Sequence, residues 1–383
     1  MMILRNVLLV MGCAMIMVLP GKGYGQDSEN GVVRTVSDDV SVSLSGTLQP
    51  RVTYTSDDDT DRVGFGLRRL RLRVSADISD RLGVFLQMEG SGGAASWLDV
   101  RGEYYVNDNL TMRTGRFVGT QPRAYARTSH AAIDAIDRPA ISDMWARMTI
   151  GADGRDYGLE ALYSSPEWEV RGFLHNGYNR LNFGRGISHD PVHGGIETDG
   201  MAFSASATHW PSGRDELELG AYASINTSQS VLTDPSSNAN INFPGVATGR
   251  NYFSYSANAY YGPLPGSQPY RLKADLIGIS YEDVEPFGNQ NYVGTSLLGA
   301  ILVAPHVELY AMGEFWHNDR GDHDGMSQVF ATLGGSYSFS ALQGGPFVHN
   351  RLMLAYNFRT QESDSIDFDD VAHVLMMQMQ FYF

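Results

Sequence analysis

Met376-Met377-Gln378-Met379-Gln380-Phe381-Tyr382-Phe383 reads as an amphipathic β-strand that ends on an aromatic residue. Side chains on a strand alternate between faces, so Leu375, Met377, Met379, Phe381 and Phe383 share one side. Gln378, Gln380 and Tyr382 share the other. A soluble domain seldom ends in the middle of such a strand. A closed membrane barrel does, because its last strand pairs with its first and leaves no open edge in lipid. Taken alone, the strand fits an ordinary core strand equally well, and the rest of the chain has to decide.

Upstream, nearly every segment after about residue 40 alternates with period two, and helical periodicity is scarce. Sixteen candidate strands fall near 41–54, 63–78, 81–90, 97–107, 109–116, 155–164, 167–177, 199–210, 215–226, 250–262, 268–282, 290–304, 305–317, 326–339, 347–360 and 370–383. Their connections also alternate. Ser79-Asp80, Asn107-Asp108, Ser165-Pro166, Pro211-Ser212-Gly213 and Ala304-Pro305 make short turns, and 55–62, 117–154, 178–198, 227–249 and 318–325 make longer polar loops. Short turns on one side and long loops on the other are the habit of outer-membrane barrels. The predicted fold class is therefore all-β, a transmembrane antiparallel β-barrel of about sixteen strands. The mean hydropathy of −0.23 is what a lipid face averaged with a wet face produces. The 42 glycines and 20 tyrosines suit tight turns and interfacial girdles.

The other end agrees. Residues 1–25 read as an export signal: Arg5, an apolar run from Val7 to Leu19, the breaker Pro20-Gly21, then small residues. That run is too short to span a bilayer as a helix. Residues 26–40 read as a short periplasmic extension and 41–383 as the barrel. Cys13 is the one cysteine and lies in the signal, so the mature chain has neither a disulfide nor a thiolate metal site.

Removing Arg5 and Lys22 from 28 basic residues leaves 26 against 43 acidic ones, a mature net charge of −17. That argues against nucleic acid as a partner. Arginine nevertheless concentrates on one strand face. In Leu67-Arg68-Arg69-Leu70-Arg71-Leu72-Arg73-Val74, Arg69, Arg71 and Arg73 oppose Leu70, Leu72 and Val74. Each cation facing the bilayer midplane would cost about 2–4 kcal/mol, so these three face the lumen. Asp99, Arg101 and Glu103 oppose Leu98, Val100 and Tyr104 in the same way, and Arg271, Lys273 and Asp275 oppose Leu272 and Leu276. Rings of arginine bias a pore toward anions. Arginines paired with acids would instead brace the wall.

Residues 117–154 break the strand pattern. A loop this long is uncommon unless functional. It carries Arg123, Arg127, Asp134, Asp137 and Arg138, and 129–137 has the composition of a helical turn or two. Folded inward, it would narrow a wide lumen.

These stretches resemble a known family. The arginine strand Leu67–Val74, the strand Leu82–Glu89, and Leu110-Thr111-Met112-Arg113-Thr114-Gly115-Arg116-Phe117 with its Pro122 are similar to phosphate-selective porins of the O and P type. Thr128-Ser129 and Asp137-Arg138 stand where that family has a serine segment and an acid–arginine pair. The resemblance covers about 40–150 and the C-terminus. It implies a trimeric sixteen-stranded channel in the outer membrane of a Gram-negative bacterium, with an inward constriction loop. Carried over by position, Arg69, Arg71, Arg73, Arg101, Arg113 and Arg116 would line the pore. Arg123, Arg127, Asp134, Asp137 and Arg138 would sit on the loop. Phe383 resembles the terminal aromatic that such barrels present to their assembly machinery, and lipopolysaccharide would surround the outer rim. Lysine departs from the pattern, since only Lys273 remains after signal removal.

The expected function is passive diffusion of small hydrophilic solutes, with a preference for anions such as phosphate. The alternatives are a general or sugar-type channel and an outer-membrane barrel enzyme. The enzyme would need a nucleophile and base near the rim; Ser129 and His130 are adjacent but point apart in a strand, and no G-x-S-x-G is present. The channel reading calls for no catalytic residue, cofactor or metal. Asp319-Arg320-Gly321-Asp322-His323-Asp324-Gly325 lacks the closing glutamate of a calcium loop and reads as a plain acidic loop.

Overall fold

In the computed structural model, seventeen β-strands form one antiparallel sheet, and β2 to β17 close it into a cylinder. The structure describes residues 32–37, 40–57, 60–126, 132–150, 154–177, 201–227, 251–284, 288–320, 323–363 and 370–383. The strands are β1 Val32–Ser37, β2 Val40–Asp57, β3 Asp61–Ser79, β4 Leu82–Glu89, β5 Ser96–Asn107, β6 Leu110–Phe117, β7 Asp156–Ser164 and β8 Trp168–His175. They continue with β9 Ala202–His209, β10 Leu217–Asn226, β11 Tyr252–Tyr261, β12 Tyr270–Val284, β13 Gly288–Ala304, β14 Val307–Arg320, β15 His323–Ser338, β16 Arg351–Ser363 and β17 Asp370–Tyr382. From β2 on, each pairs with its neighbour in sequence, and β17 returns to β2 with Leu375 opposite Tyr54 and Gln378 opposite Arg51. All sixteen expected strands are present. The addition is β1, which pairs antiparallel with the start of β2, Val32 opposite Leu44. It lies in the stretch expected as a plain extension.

The two faces divide as hydrocarbon demands. Leu70, Leu72, Phe253, Leu276, Leu297, Phe315, Leu333 and Leu354 are exposed on the outside. Thr47, Gln49, Asn226, Ser254, Thr332 and Ser336 are buried on the inside. A barrel in lipid is apolar outward and polar inward because only the inner face meets water. Among the described residues no helix is long and apolar enough to cross a membrane.

Two bulges correct strict alternation. Gln49 pairs with Arg69 and Pro50 with Leu67, which leaves Arg68 as an extra residue on β3. Pro50 has no N–H to give the ladder, and a bulge is where a sheet tolerates proline. Gln87 pairs with Asp99 and Met88 with Trp97, which makes Leu98 the extra residue on β5. Leu98 was expected to face lipid beside Val100. The bulge turns it away, and it is 8% exposed while Val100 is 45% exposed.

The expected loop 318–325 is shorter than its composition suggests, since β14 runs to Arg320 and β15 resumes at His323. At the opposite end, the β15–β16 connection carries α-helical residues Phe339–Leu342, closed by Ser338 Oγ accepting from Ala341 N–H at 3.0 Å.

Candidate functional site

The segment between β6 and β7 supplies the site. It holds α1 Arg123–Ala126 and α2 Ala140–Met148. The expected helical turn at 129–137 lies partly outside the described residues; over 132–137 there is no helix, residues 134–137 form bends, and α2 starts after Pro139. Proline at a helix start loses nothing, because the first N–H groups have no intrahelical partner. Residues 134–137 cannot coil because their acids reach different walls. Arg127, Thr128, Ser129 and His130 lie outside the described residues.

Side chains on nine strands hold this segment. Asp137 joins Arg51 of β2 at 2.7 Å and Arg68 of β3 at 2.9 Å. Arg155 joins Asp99 of β5 at 2.9 Å, and Thr120 donates to Glu160 of β7 at 2.9 Å. Arg123 joins Glu218 of β10 at 2.5 Å and lies 5.2 Å from the Tyr260 ring centre. Trp145 Nε1 donates to Ser254 Oγ of β11 at 2.7 Å. Asp134 joins Arg271 at 2.5 Å and Lys273 at 2.8 Å, both on β12. Glu314 of β14 accepts from the Ile141 N–H at 3.1 Å, and Arg351 of β16 donates to the Ile133 carbonyl at 2.6 Å. One short segment reaches strands all round a cylinder only from within it.

Apolar packing fixes one side. Ile141, Met144, Trp145 and Met148 of α2 bury themselves against Tyr222, Tyr252, Ile277, Ile279, Tyr281, Tyr292 and Trp316. Trp145 meets Tyr222 edge-on, ring centres 5.8 Å apart, and the Tyr281 hydroxyl donates to the Met148 carbonyl at the helix end. Tyr222, Tyr252, Tyr281, Tyr292 and Trp316 are thus covered by the helix. Arg147 is the residue of α2 left exposed.

Across from this wall lies a cavity of about 310 Å³. Arg68, Arg69, Arg71, Arg138, Arg147 and Arg155 border it, against the carboxylates of Glu89 and Asp143. Arg71 pairs with Glu89 at 2.8 Å, and Arg138 lies over Tyr125 and donates to its carbonyl at 2.9 Å. The remaining wall arginines sit elsewhere. Arg101 and Arg113 share Glu103 at 2.9 and 3.0 Å, and Arg113 also reaches Glu160 at 3.3 Å. Arg116 donates to the Leu98 carbonyl and is 2% exposed. Arg73 lies 5.9 Å from the Tyr382 ring centre. Of the expected pore-lining set, the structure gathers Arg69 and Arg71 at the cavity with Arg138 of the loop.

Sequence reasoning missed Arg68, Arg147 and Arg155 at this opening. Pro50 was the signal for Arg68, because it marks the bulge. Only the placement of α2 identifies Arg147.

The loop acids differ in state. Burial works to raise the Asp134 carboxyl, but Lys273 and Arg271 outweigh it and bring it down to about 2. Asp137 is likewise held low, with Arg51 and Arg68 overcoming burial. Asp143 is raised by burial, against the pull of Arg138.

One interior array has the spacing of a hydrolytic triad. Asp156 Oδ2 lies 2.8 Å from His175 Nδ1, and His175 Nε2 lies 2.9 Å from Ser204 Oγ. Ser204 is 1% exposed and passes its hydrogen bond on to Ser224 at 2.9 Å. A shielded hydroxyl does not meet a substrate, and the array satisfies polar atoms on the inner faces of β7–β10.

Solved structures of the same architecture exist. An anion-selective porin from Comamonas acidovorans superposes with a TM-score of 0.62 at 13% identity, over 90% of this chain and all of that one. The outer-membrane channel DcaP of Acinetobacter baumannii matches with a TM-score of 0.58 at 15% identity, over 92% of this chain and all of that one. The trimer form of OmpT, an outer-membrane protein of Vibrio cholerae, matches with a TM-score of 0.57 at 12% identity, over 90% and 100%. The fold is that of the outer-membrane porins. No protein-family model and no curated protein sequence matches the chain. Its apolar outer band is the surface such a barrel turns to lipid.

Proposed function

We propose that this protein is a passive diffusion channel for small hydrophilic solutes with a preference for anions, inorganic phosphate among them. The charge balance at the cavity carries the reading: six arginines border it against two carboxylates. Three of the six bond a carboxylate, Arg71 with Glu89, Arg68 with Asp137 and Arg155 with Asp99, which sets Arg69, Arg138 and Arg147 against Asp143. A transverse field of the general-porin kind needs a row of acids facing the opening, and of the loop acids, Asp134 and Asp137 instead bond wall cations. The loop acts as the constriction, with Arg138 and Arg147 on its wet side.

A sugar-type channel is disfavoured by one observation. The largest cluster of inward aromatics, Tyr222, Tyr252, Tyr281, Tyr292 and Trp316, lies beneath α2 and offers no row on which a sugar would slide. Residues 1–25 serve as the export signal and 26–40 as a periplasmic extension in which β1 pairs with the start of β2. The likeness to the OmpT trimer form supports a homotrimer. Phe383 addresses the assembly machinery, and lipopolysaccharide contacts the outer rim.

The test is the reversal potential of the purified protein in a planar bilayer under a KCl gradient, repeated with added phosphate. Anion preference with phosphate block is the expected result. Stepwise conductance with a cation preference would make the arginines wall braces.

A further inference from the structure

The cavity arginines are not held alike. Arg71, Arg68 and Arg155 each bond a carboxylate: Glu89, Asp137 and Asp99. Arg69 does not. Its Nη1 donates to the side-chain oxygen of Gln49 at 2.9 Å. Gln49 Nε2 in turn donates to Gln380 Oε1 at 2.6 Å, and Gln380 Nε2 donates to the Val348 carbonyl and to the His349 carbonyl at 3.2 Å. Gln49, Gln380 and Arg69 are 1%, 0% and 2% exposed. The chain of amides runs from the cavity down the seam between β2 and β17 to the β15–β16 connection. Among the described residues the Arg69 Nε has no hydrogen-bond partner.

An amide accepts a guanidinium N–H as a carboxylate does, but it cancels no charge. Burying a cation costs free energy that a carboxylate partner would offset. Three other wall arginines have that partner and Arg69 has an amide, at a position that borders the opening. The cation is thus fixed in place while its field stays in the cavity, where the walls screen it less than water does.

We propose that Gln49 is a selectivity-determining positioning residue. Backed by Gln380, it orients Arg69 while leaving its full positive charge to act on passing anions. This rests on the anion-channel reading, and the experiment separates the two. Gln49→Glu puts a carboxylate in the same place with almost the same shape. Gln49→Leu removes the acceptor and leaves the charge count unchanged. Reversal potentials are measured for the wild type and both variants, with heat-modifiable gel mobility confirming a folded barrel.

Gln49→Glu is expected to lower the anion-to-cation permeability ratio roughly sevenfold, because one unit charge about 7 Å away in water acts on an anion and on a cation by a factor of about 2.7 each, in opposite directions. Gln49→Leu is expected to keep the wild-type ratio within that margin while changing the unit conductance. A folded Gln49→Glu channel with an unchanged ratio overturns the proposal. Equal shifts in both variants also overturn it, because they mark a structural disturbance. A wild type that already prefers cations defeats the anion reading, and the difference between variants still decides the role of Gln49. If neither variant folds, Gln49→Asn and Gln380→Glu replace them with the same readings, since a carboxylate at 380 adds charge to the same amide chain.

Discussion

Phe383 and Gly46 seal the cylinder as a pair. The Gly46 N–H donates to a Phe383 main-chain oxygen at 2.6 Å, and the Phe383 N–H donates back to the Gly46 carbonyl at 3.1 Å. The Phe383 ring occupies the space that a side chain at position 46 would fill. The glycine is required by this close approach, and the aromatic end of the chain is seated on the strand that began the barrel.

Gly46→Val should therefore unseat the ring and strain the seam by about 1–3 kcal/mol, the range of overpacking a fitted site. The check is the temperature at which the purified barrel loses its fast electrophoretic mobility. It should fall in Gly46→Val and recover partly when Phe383→Ala is added, because the second change vacates the disputed space. An unchanged temperature in the single variant would show that the seam does not depend on this contact.

Asp137 is the knot between the loop and the strands where the barrel closes. Asp137→Asn keeps the shape and removes the charge that holds Arg51 and Arg68. Removing one partner of a buried pair costs 3–5 kcal/mol, and this carboxylate is 30% exposed, so about 1–3 kcal/mol is expected. The freed arginines add positive field on the cavity side. Lower thermal stability together with stronger anion preference is the expected combination, read by unfolding and by reversal potential. Lower stability with weaker anion preference would contradict the charge assignment.

The pH response should separate Asp134 from Asp143. Asp134 is depressed to about 2 from a usual 3.8, so its stabilisation is present above the usual value and is lost as pH falls through about 2. Docking of the loop on β12 should persist at pH 4. Asp143 is raised by burial and takes up its proton at higher pH than an ordinary aspartate. Its protonation removes one of two negative charges at the cavity. Anion preference should therefore rise as pH falls from 7 toward 4. Asp143→Asn should show at pH 7 the preference that the wild type shows in acid, and its own response should be flatter.

The sixteen strands were legible because lipid imposes one rule on every strand, apolar outward, and Leu70, Leu72, Leu276 and Leu354 obey it without reference to partners. Alternation passed over Arg68 and misjudged Leu98, because a bulge is decided by the facing strand. Pro50 announces one bulge, and no residue in β4 announces the other as plainly. The loop was legible as an exception to the strand pattern but not as a contact map. Asp134 and Asp137 look alike in sequence, yet one meets β12 and the other β2 and β3. Those pairings join residues more than 130 positions apart in the first case, and no local pattern carries them. In the described part of 129–137 composition suggested helix where the backbone bends, and Pro139 sets where α2 begins.

Arg147 offers the cleanest separation of selectivity from stability. It is the exposed residue of a helix whose other faces are half-buried or buried, and it borders the cavity. Exposed surface substitutions change stability within about 0.5 kcal/mol, so Arg147→Glu should unfold at the wild-type temperature. It exchanges one positive for one negative charge at the opening, twice the charge change of a neutral substitution. The reversal potential should move toward cations, further than in Arg147→Gln. Arg113→Glu is the contrast: Arg113 is tied between Glu103 and Glu160 away from the cavity, and reversing it sets three carboxylates against one another. That variant should lose stability with a smaller shift in selectivity. If Arg113→Glu moved the reversal potential as far as Arg147→Glu, the opening would lie along β5–β7 instead of at the arginine cavity.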